Sequence, residues 1–204
     1  MSMSSMSMSR ISYLLGGEDL CYPSDEYLDY VTPADLFNIV LVNAGIHFNG
    51  LSNKVVWDMF AGIGTDSLRL AKHAGIVIAT EIDPDTFTCL SKNVSGVSNI
   101  TIYNRDCCDL KAFPGAQRLP PDVIYFDPPW GVTFKTGQTF SFDDIRLANG
   151  SAIPDVFLKL RESYLDSSFI IKLPFMCDFE KHIPEADIKC ILTFSRQKLK
   201  YIFI

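Results

Sequence analysis

A chain of 204 residues, 48% of them hydrophobic, suits one domain with a sizeable core and needs no second one. Its net charge of −6 excludes wholesale attraction to a nucleic-acid backbone and leaves room for a short, local contact with RNA. The six cysteines form no C-x-x-C pair and the three histidines are scattered, which counts against a zinc site or a disulfide framework and predicts reduced thiols in an intracellular compartment, nucleus or cytoplasm.

In chain order, residues 1–10 read as a low-complexity tail without the apolar core of a secretory signal. Residues 11–30 mix Gly16-Gly17, acidic residues and four tyrosines without clean periodicity. Residues 1–30 are therefore predicted to be a flexible arm and residues 31–204 the folded domain. Thr32 is expected to cap a helix that has Pro33 at its first position and runs to about Ala44, with Leu36, Ile39, Val40 and Val42 as its apolar residues. A loop follows to Lys54. From Val55 the pattern becomes β-α alternation: strand 55–59, helix 66–73, strand 76–81, helix 84–94, strand 100–104 and strand 123–127. Residues 107–121 are a connector. Residues 131–151 are polar, aromatic and aperiodic, a candidate substrate loop or a plain surface insertion. Helix 154–164 and strands 168–173, 188–194 and 199–204 complete the chain. No apolar run is long enough to predict a membrane span. Short strands alternating with helices imply an α/β, Rossmann-like fold with a mostly parallel sheet covered on both faces.

Asp58-Met59-Phe60-Ala61-Gly62-Ile63-Gly64 falls where the first strand turns into a helix. Glycines there let a ligand approach the backbone, and the helix start offers free N–H groups. Ser67 stands where a dinucleotide fingerprint has its third glycine, which weakens a pyrophosphate-binding reading. The remaining pattern, D-x-F-x-G-x-G followed by Thr65, resembles the first motif of S-adenosylmethionine (SAM)-dependent methyltransferases, in which this turn holds the methionine end of the cofactor. Glu81 ends the second strand, where an acidic residue commonly accepts both ribose hydroxyls. Asp83-Pro84 starts the next helix, and Asp106, after the third strand, stands where such enzymes hold the adenine edge. Each of these carboxylates is also a candidate helix cap or loop residue. All of them would line the carboxyl edge of the sheet, where open α/β sheets bind ligands.

Val123-Ile124-Tyr125-Phe126 ends in Asp127-Pro128-Pro129-Trp130-Gly131. The prolines remove backbone donors and fix φ, so the carbonyls of this turn are held rigidly as acceptors. Asp127 adds a carboxylate, and Trp130 adds a flat face suited to an electron-poor or cationic ring. Acceptors beside a stacking plate suit a planar base bearing an amino group; equally, the turn could close a strand, with Asp127 as a cap and Trp130 as core. Beside SAM, Asp127 and the Pro128 carbonyl would hold the two N–H bonds of an exocyclic amine and aim its lone pair at the methyl, with no metal or strong base required.

Asp58-x-Phe60-x-Gly62-x-Gly64, the run Val77-Ile78-Ala79-Thr80-Glu81-Ile82-Asp83-Pro84 and Pro128-Pro129-Trp130-Gly131, in this order, resemble trimethylguanosine synthase, the family that methylates the guanine amine of the 7-methylguanosine RNA cap. Val31-Thr32-Pro33, Lys172-Leu173-Pro174 and Lys198-Leu199-Lys200 match its flanking landmarks. The resemblance implies a seven-stranded sheet and SAM as cofactor. It implies cofactor contacts at Asp58, Phe60, Gly62, Gly64, Thr65, Glu81, Asp83, Asp106 and Asp127. It further implies catalysis by Asp127, Pro128 and Trp130, the indole of Trp130 stacking on a cap guanine of capped RNA. Val132 replaces a glycine of that family and Phe175 replaces an arginine that helps hold the cap, so cap phosphates would need Lys172, Lys135 or the group Arg196, Lys198 and Lys200. Two other readings are open: an exocyclic-amine methyltransferase acting on rRNA, tRNA or DNA, and a methyltransferase-fold subunit without catalysis.

Overall fold

The structure is a computed structural model that describes residues 8–17, 19–109, 120–130 and 140–204. In chain order its elements are α1 (Met8–Leu15), α2 (Ala34–His47), β1 (Val55–Asp58), α3 (Thr65–Ala71), β2 (Ile76–Glu81), α4 (Pro84–Asn93), β3 (Ile100–Asn104), β4 (Val123–Phe126), β5 (Phe140–Ser141), α5 (Ile153–Ser163), β6 (Ser168–Pro174), β7 (Cys177–Asp178), β8 (Cys190–Phe194) and β9 (Leu199–Phe203). Seven strands form one sheet in the order β3-β2-β1-β4-β6-β9-β8. Only β9 runs against its neighbours. The β-α alternation thus yields the expected mostly parallel sheet, and β5 and β7 form a separate parallel pair. No described helix is long and apolar enough to cross a membrane.

Two expectations change. The arm read as irregular carries α1 and a 3-10 helix, Asp25–Tyr30, because Leu14, Leu15, Leu28 and Val31 bury themselves against Ile63 and Cys89. Asn93 of α4 holds it by accepting from the Cys21 N–H at 2.7 Å and donating to the Cys21 carbonyl at 2.8 Å. The leading helix starts at Ala34, and Thr32 makes no cap to it. Thr32 is buried, and its hydroxyl donates to Asp66 at 3.1 Å and lies 3.3 Å from the Tyr201 hydroxyl, partners brought close only by the tertiary fold. Residues 1–7, the middle of the connector at 110–119, and the expected substrate-loop positions 131–139, with Gly131, Val132 and Lys135 among them, lie outside the described residues.

The sheet's pleat sorts its side chains onto two faces with period two. Val55 and Trp57 of β1, Ile124 and Phe126 of β4, and Phe169, Ile171 and Leu173 of β6 share one apolar cluster with Phe157 of α5. Val56, Val123, Tyr125, Ile170 and Tyr201 face the other way, against Phe37, Val40 and Leu41 of α2. Asp58, Asp127 and Lys172 continue the alternation onto this second face at the carboxyl ends of β1, β4 and β6. The strand order reverses between β1 and β4, so these residues sit at the switch point where open α/β sheets bind ligands.

Candidate active site

The turn after β1 is tied to both flanking strands: the Met59 N–H donates to the Tyr125 carbonyl at 3.2 Å and the Ala61 N–H to the Thr80 carbonyl at 2.9 Å. Gly62 and Gly64 both have positive φ, +56° and +88°, which a side chain would resist. A Cβ at Gly62 would come within 2.2 Å of the Tyr27 hydroxyl, and one at Gly64 within 2.5 Å of Leu90. The space next to Gly62 is therefore taken by the N-terminal arm. Burial raises the Tyr27 hydroxyl pKa, and Glu81 and Asp127 push it the same way. Tyr27 thus lies beside Gly62 within the electrostatic reach of both Glu81 and Asp127, a placement that the aperiodic arm gave no local signal for.

Glu81, half-buried, accepts from the Gly62 N–H at 2.9 Å and the Asp83 N–H at 2.8 Å, one on each carboxylate oxygen. Burial raises its pKa, opposed by hydrogen bonds from the Asp83, Gly62 and Ile82 N–H groups. Asp83 is exposed and caps α4, accepting from the Thr86 N–H at 2.8 Å, a bond that also lowers its pKa. Of the two readings open for it, the helix cap is the one its contacts satisfy. Asp106 accepts from the Cys108 N–H at 2.9 Å and from Asn149 at 3.2 Å. Asp106, Cys107 and Cys108 also bring their potential ligand atoms within 4.8 Å of one another. Thr65 is buried at the start of α3, and the Phe60 ring meets Phe126 edge-on at 5.4 Å.

Asp58 is 1% exposed. One of its oxygens accepts from the Ser67 hydroxyl at 2.5 Å, while Oδ1 has no partner among the described residues. Burial pushes its pKa up to about 8; the Ser67 bond opposes this, and Asp66 and Asp127 add to it.

Beyond β4, Asp127 is half-buried, Pro128 is buried and Pro129 is exposed. Among the described residues no backbone N–H donates to the Pro128 carbonyl. The half-buried Trp130 packs against the apolar clusters of both sheet faces. Asp127 Oδ2 accepts from Lys172 Nζ at 2.5 Å, with the two side chains 18% and 3% exposed. Burial pushes the Asp127 carboxyl up to about 6, opposed by the charge and hydrogen bond of Lys172 and by a hydrogen bond from Trp130. Burial alone would lower the Lys172 pKa, but Asp127, Tyr201 and Asp66 raise it overall. The lysine stays charged, so the carboxylate is the member of the pair that titrates. Lys172, expected as a surface cation for a phosphate, is instead buried and committed to Asp127.

The remaining cations considered for phosphates lie elsewhere. Lys200 donates to the Cys177 carbonyl at 2.8 Å and lies over the Phe179 ring at 4.8 Å, while Arg196 and Lys198 are exposed near the β8–β9 turn. Phe175, in place of an arginine, is half-buried and donates its N–H to the Lys198 carbonyl at 2.8 Å.

A polar network beneath the turn has no motif of its own. Asp66 accepts from the Tyr125 hydroxyl at 2.8 Å, from Thr32 at 3.1 Å and from Arg69 at 3.0 Å. Arg69 also donates to the carbonyls of Thr32, at 2.7 Å, and Leu14, at 2.8 Å. The arm, α3, β4 and β9 are thereby joined under the cleft.

A family model of the TRM5/TYW2 methyltransferase domain matches residues 43–119. The uncharacterized protein L320 of Acanthamoeba polyphaga mimivirus is 29% identical over 74% of this chain and 57% of its own length. The 23S rRNA (uracil(747)-C(5))-methyltransferase RlmC of Shewanella amazonensis is 25% identical over 70% of this chain and 37% of its own. The chain thus spans little more than half of the first relative and well under half of the second. Among solved structures, a hypothetical protein of Thermus thermophilus, TTHA0928, superposes with a TM-score of 0.63 at 16% identity, over 92% of this chain and 93% of that one. An rRNA methylase from Streptococcus thermophilus superposes at 0.53 with 15% identity, over 81% and 93%. The fold is the Rossmann-like fold of methyltransferases, with its seven-stranded, mostly parallel sheet.

Proposed function

We propose that this chain is a SAM-dependent RNA methyltransferase that modifies an exocyclic base amine, its substrate being the guanine of the 7-methylguanosine cap. The observation that carries the reading is a pair of acceptors, the Asp127 carboxylate and the Pro128 carbonyl, to which no backbone N–H among the described residues donates, at the switch point of the sheet. When bound, SAM supplies an electrophilic methyl group. The residues fit it on two grounds: Asp58 Oδ1 is a buried polar atom without a protein partner among the described residues, and Glu81 places a carboxylate at the end of β2. Glu81, the turn from Asp58 through Phe60, Gly62 and Gly64 to Thr65, and Asp106 would hold the cofactor.

The lone pair of a purine's exocyclic amine is delocalised into the ring, so the amine is a weak nucleophile. Asp127 and the Pro128 carbonyl, each accepting one N–H, favour a tetrahedral nitrogen with its lone pair directed away from them. Alignment of this kind contributes on the order of 7–11 kcal/mol to such reactions. Asp127, with its pKa pushed up to about 6, is also suited to receive the proton that the nitrogen sheds once alkylated. Trp130 supplies the plate for the base. A 7-methylated guanine carries positive charge, and cation–π attraction adds up to about 2 kcal/mol when the pair is desolvated.

The names of RlmC and of the S. thermophilus methylase support RNA as the substrate class. The narrower cap reading rests on Pro128-Pro129-Trp130-Gly131 and the chemistry of Trp130. Incubation with labelled SAM and either 7-methylguanosine-capped or uncapped RNA tests it. Label confined to capped RNA is expected; equal label on both removes the cap, and label on neither removes the enzyme.

A further inference from the structure

Asp127 and Lys172 stand 45 residues apart in sequence, yet strand register makes them neighbours. Phe126 of β4 pairs with Ile171 of β6, so the next residue on each parallel strand continues side by side onto the same face. The Lys172 stem runs within the sheet and its ammonium ends on Asp127 Oδ2 at 2.5 Å, with 3% of the side chain exposed. Across β9, Tyr201 pairs with Lys172 in the antiparallel register. The Tyr201 hydroxyl continues through Thr32 to Asp66, which Arg69 holds. Tyr201 and Asp66 of this network favour the charge on the Lys172 ammonium.

We propose that Lys172 is a positioning residue for the reaction: it engages Oδ2 of Asp127 and so fixes the orientation in which the carboxylate meets the substrate amine. This rests on the reading of Asp127 as the amine's acceptor. A carboxylate bound only by solvent at a strand end can rotate about its terminal torsion; one anchored through Oδ2 is held in one orientation. The anchor also keeps Asp127 ionised, and an ionised carboxylate is acceptor-only, as an amine donor requires. A protonated Asp127 would present an O–H instead. The lysine therefore selects a base edge that donates over one that accepts. The groups facing Asp127 are Lys172 from β6, Tyr201 from β9, Asp58 from β1, Asp66 from α3, Tyr125 from β4, Trp130 after it and Tyr27 from the arm. Of these, Lys172 is the cation.

The test compares wild type with Lys172→Met, which keeps the stem and removes the charge, and Lys172→Arg, which keeps the charge. Carbon-13 NMR of carboxyl-labelled aspartate, with the Asp127 signal assigned from Asp127→Asn, follows the titration of that carboxyl without turnover. In Lys172→Met the Asp127 midpoint should rise by about one unit or more, as expected when an adjacent opposite charge is removed. The turnover number should fall about tenfold or more, the acidic limb of its pH profile should move upward in parallel, and SAM affinity measured by calorimetry should change little. Lys172→Arg should keep the wild-type midpoint and recover part of the rate. An unchanged midpoint in Lys172→Met overturns the proposal, as does parallel loss of SAM affinity and rate in both variants, which would make Lys172 a prop for the fold. If Lys172→Met does not fold, the double variant Asp127→Asn, Lys172→Met should restore folding, and the arginine variant carries the titration. Wild type inactive on every RNA would remove the functional reading, while the titration still decides whether Lys172 governs Asp127.

Discussion

The carboxyl ends of β1, β4 and β6 present two different surfaces on the two faces of one sheet. On one face Trp57, Phe126, Ile171 and Leu173 pack against Phe157 and its neighbours. The residues after Trp57, Phe126 and Ile171 face the opposite way: Asp58 ends β1, Asp127 follows β4 and Lys172 lies near the end of β6. The apolar face fixes where the strand ends sit; the polar face uses that fixed position to hold charge where water is scarce. A strand pleat is thus enough to put stability and chemistry on adjacent residues, and the two should separate under mutation.

The largest effect is expected on the apolar face. Phe126→Ala removes a fully buried ring and should cost about 3–5 kcal/mol of stability, measured by denaturant unfolding. The Asp127 titration should keep its midpoint in whatever fraction remains folded. On the polar face, Asp127→Ala should lower turnover about a hundredfold, the scale of a lost proton-handling group, with SAM affinity by calorimetry nearly unchanged. A comparable loss of unfolding free energy in that variant would erase the contrast between the faces. Next, Trp130→Ala should weaken 7-methylguanosine diphosphate binding by up to about 2 kcal/mol and leave SAM binding intact; loss of both would mark the indole as core.

The last prediction tests the buried carboxylates by pH. Asp58 has its folded-state pKa pushed up to about 8, above the ordinary carboxylate range near 3.9. Between those values the folded state binds more protons than the unfolded one, so stability falls as pH rises from about 4 to about 8. Asp127 adds the same sign over the lower part of that window, to about 6. Asp58→Asn, a neutral isostere, should flatten the decline, followed as the difference in melting temperature between pH 5 and pH 8. An undiminished slope would show that Asp58 is ionised in the fold.

The β-α alternation was legible because each apolar run has strand or helix length and is punctuated by Gly, Pro or Asp, local signals that the sheet did not override. Glu81 and Asp127 were legible as strand-end carboxylates for the same reason. What was not legible depends on strand adjacency or on the arm. Lys172 follows a run of apolar residues and read as a cation free for phosphate; only the pairing of β4 with β6 shows its partner. Thr32 before Pro33 has the local form of a helix cap, but Asp66 and Tyr201, distant in sequence, are the partners of its hydroxyl. Tyr27 belongs to a stretch with no periodicity, and its place over Gly62 follows from the burial of Leu28 and Val31 beside Ile63.

The central claim is that Asp127 accepts an N–H from a base amine that becomes methylated. Its most direct test is to methylate 7-methylguanosine-capped RNA with labelled SAM, digest the product to nucleosides and locate the label, using wild type and Asp127→Ala side by side. Label on the exocyclic nitrogen of the cap guanine, reduced about a hundredfold in rate by the substitution, is the predicted result. Label on a ring carbon or a ribose oxygen, or a wild-type rate without Asp127, would contradict it.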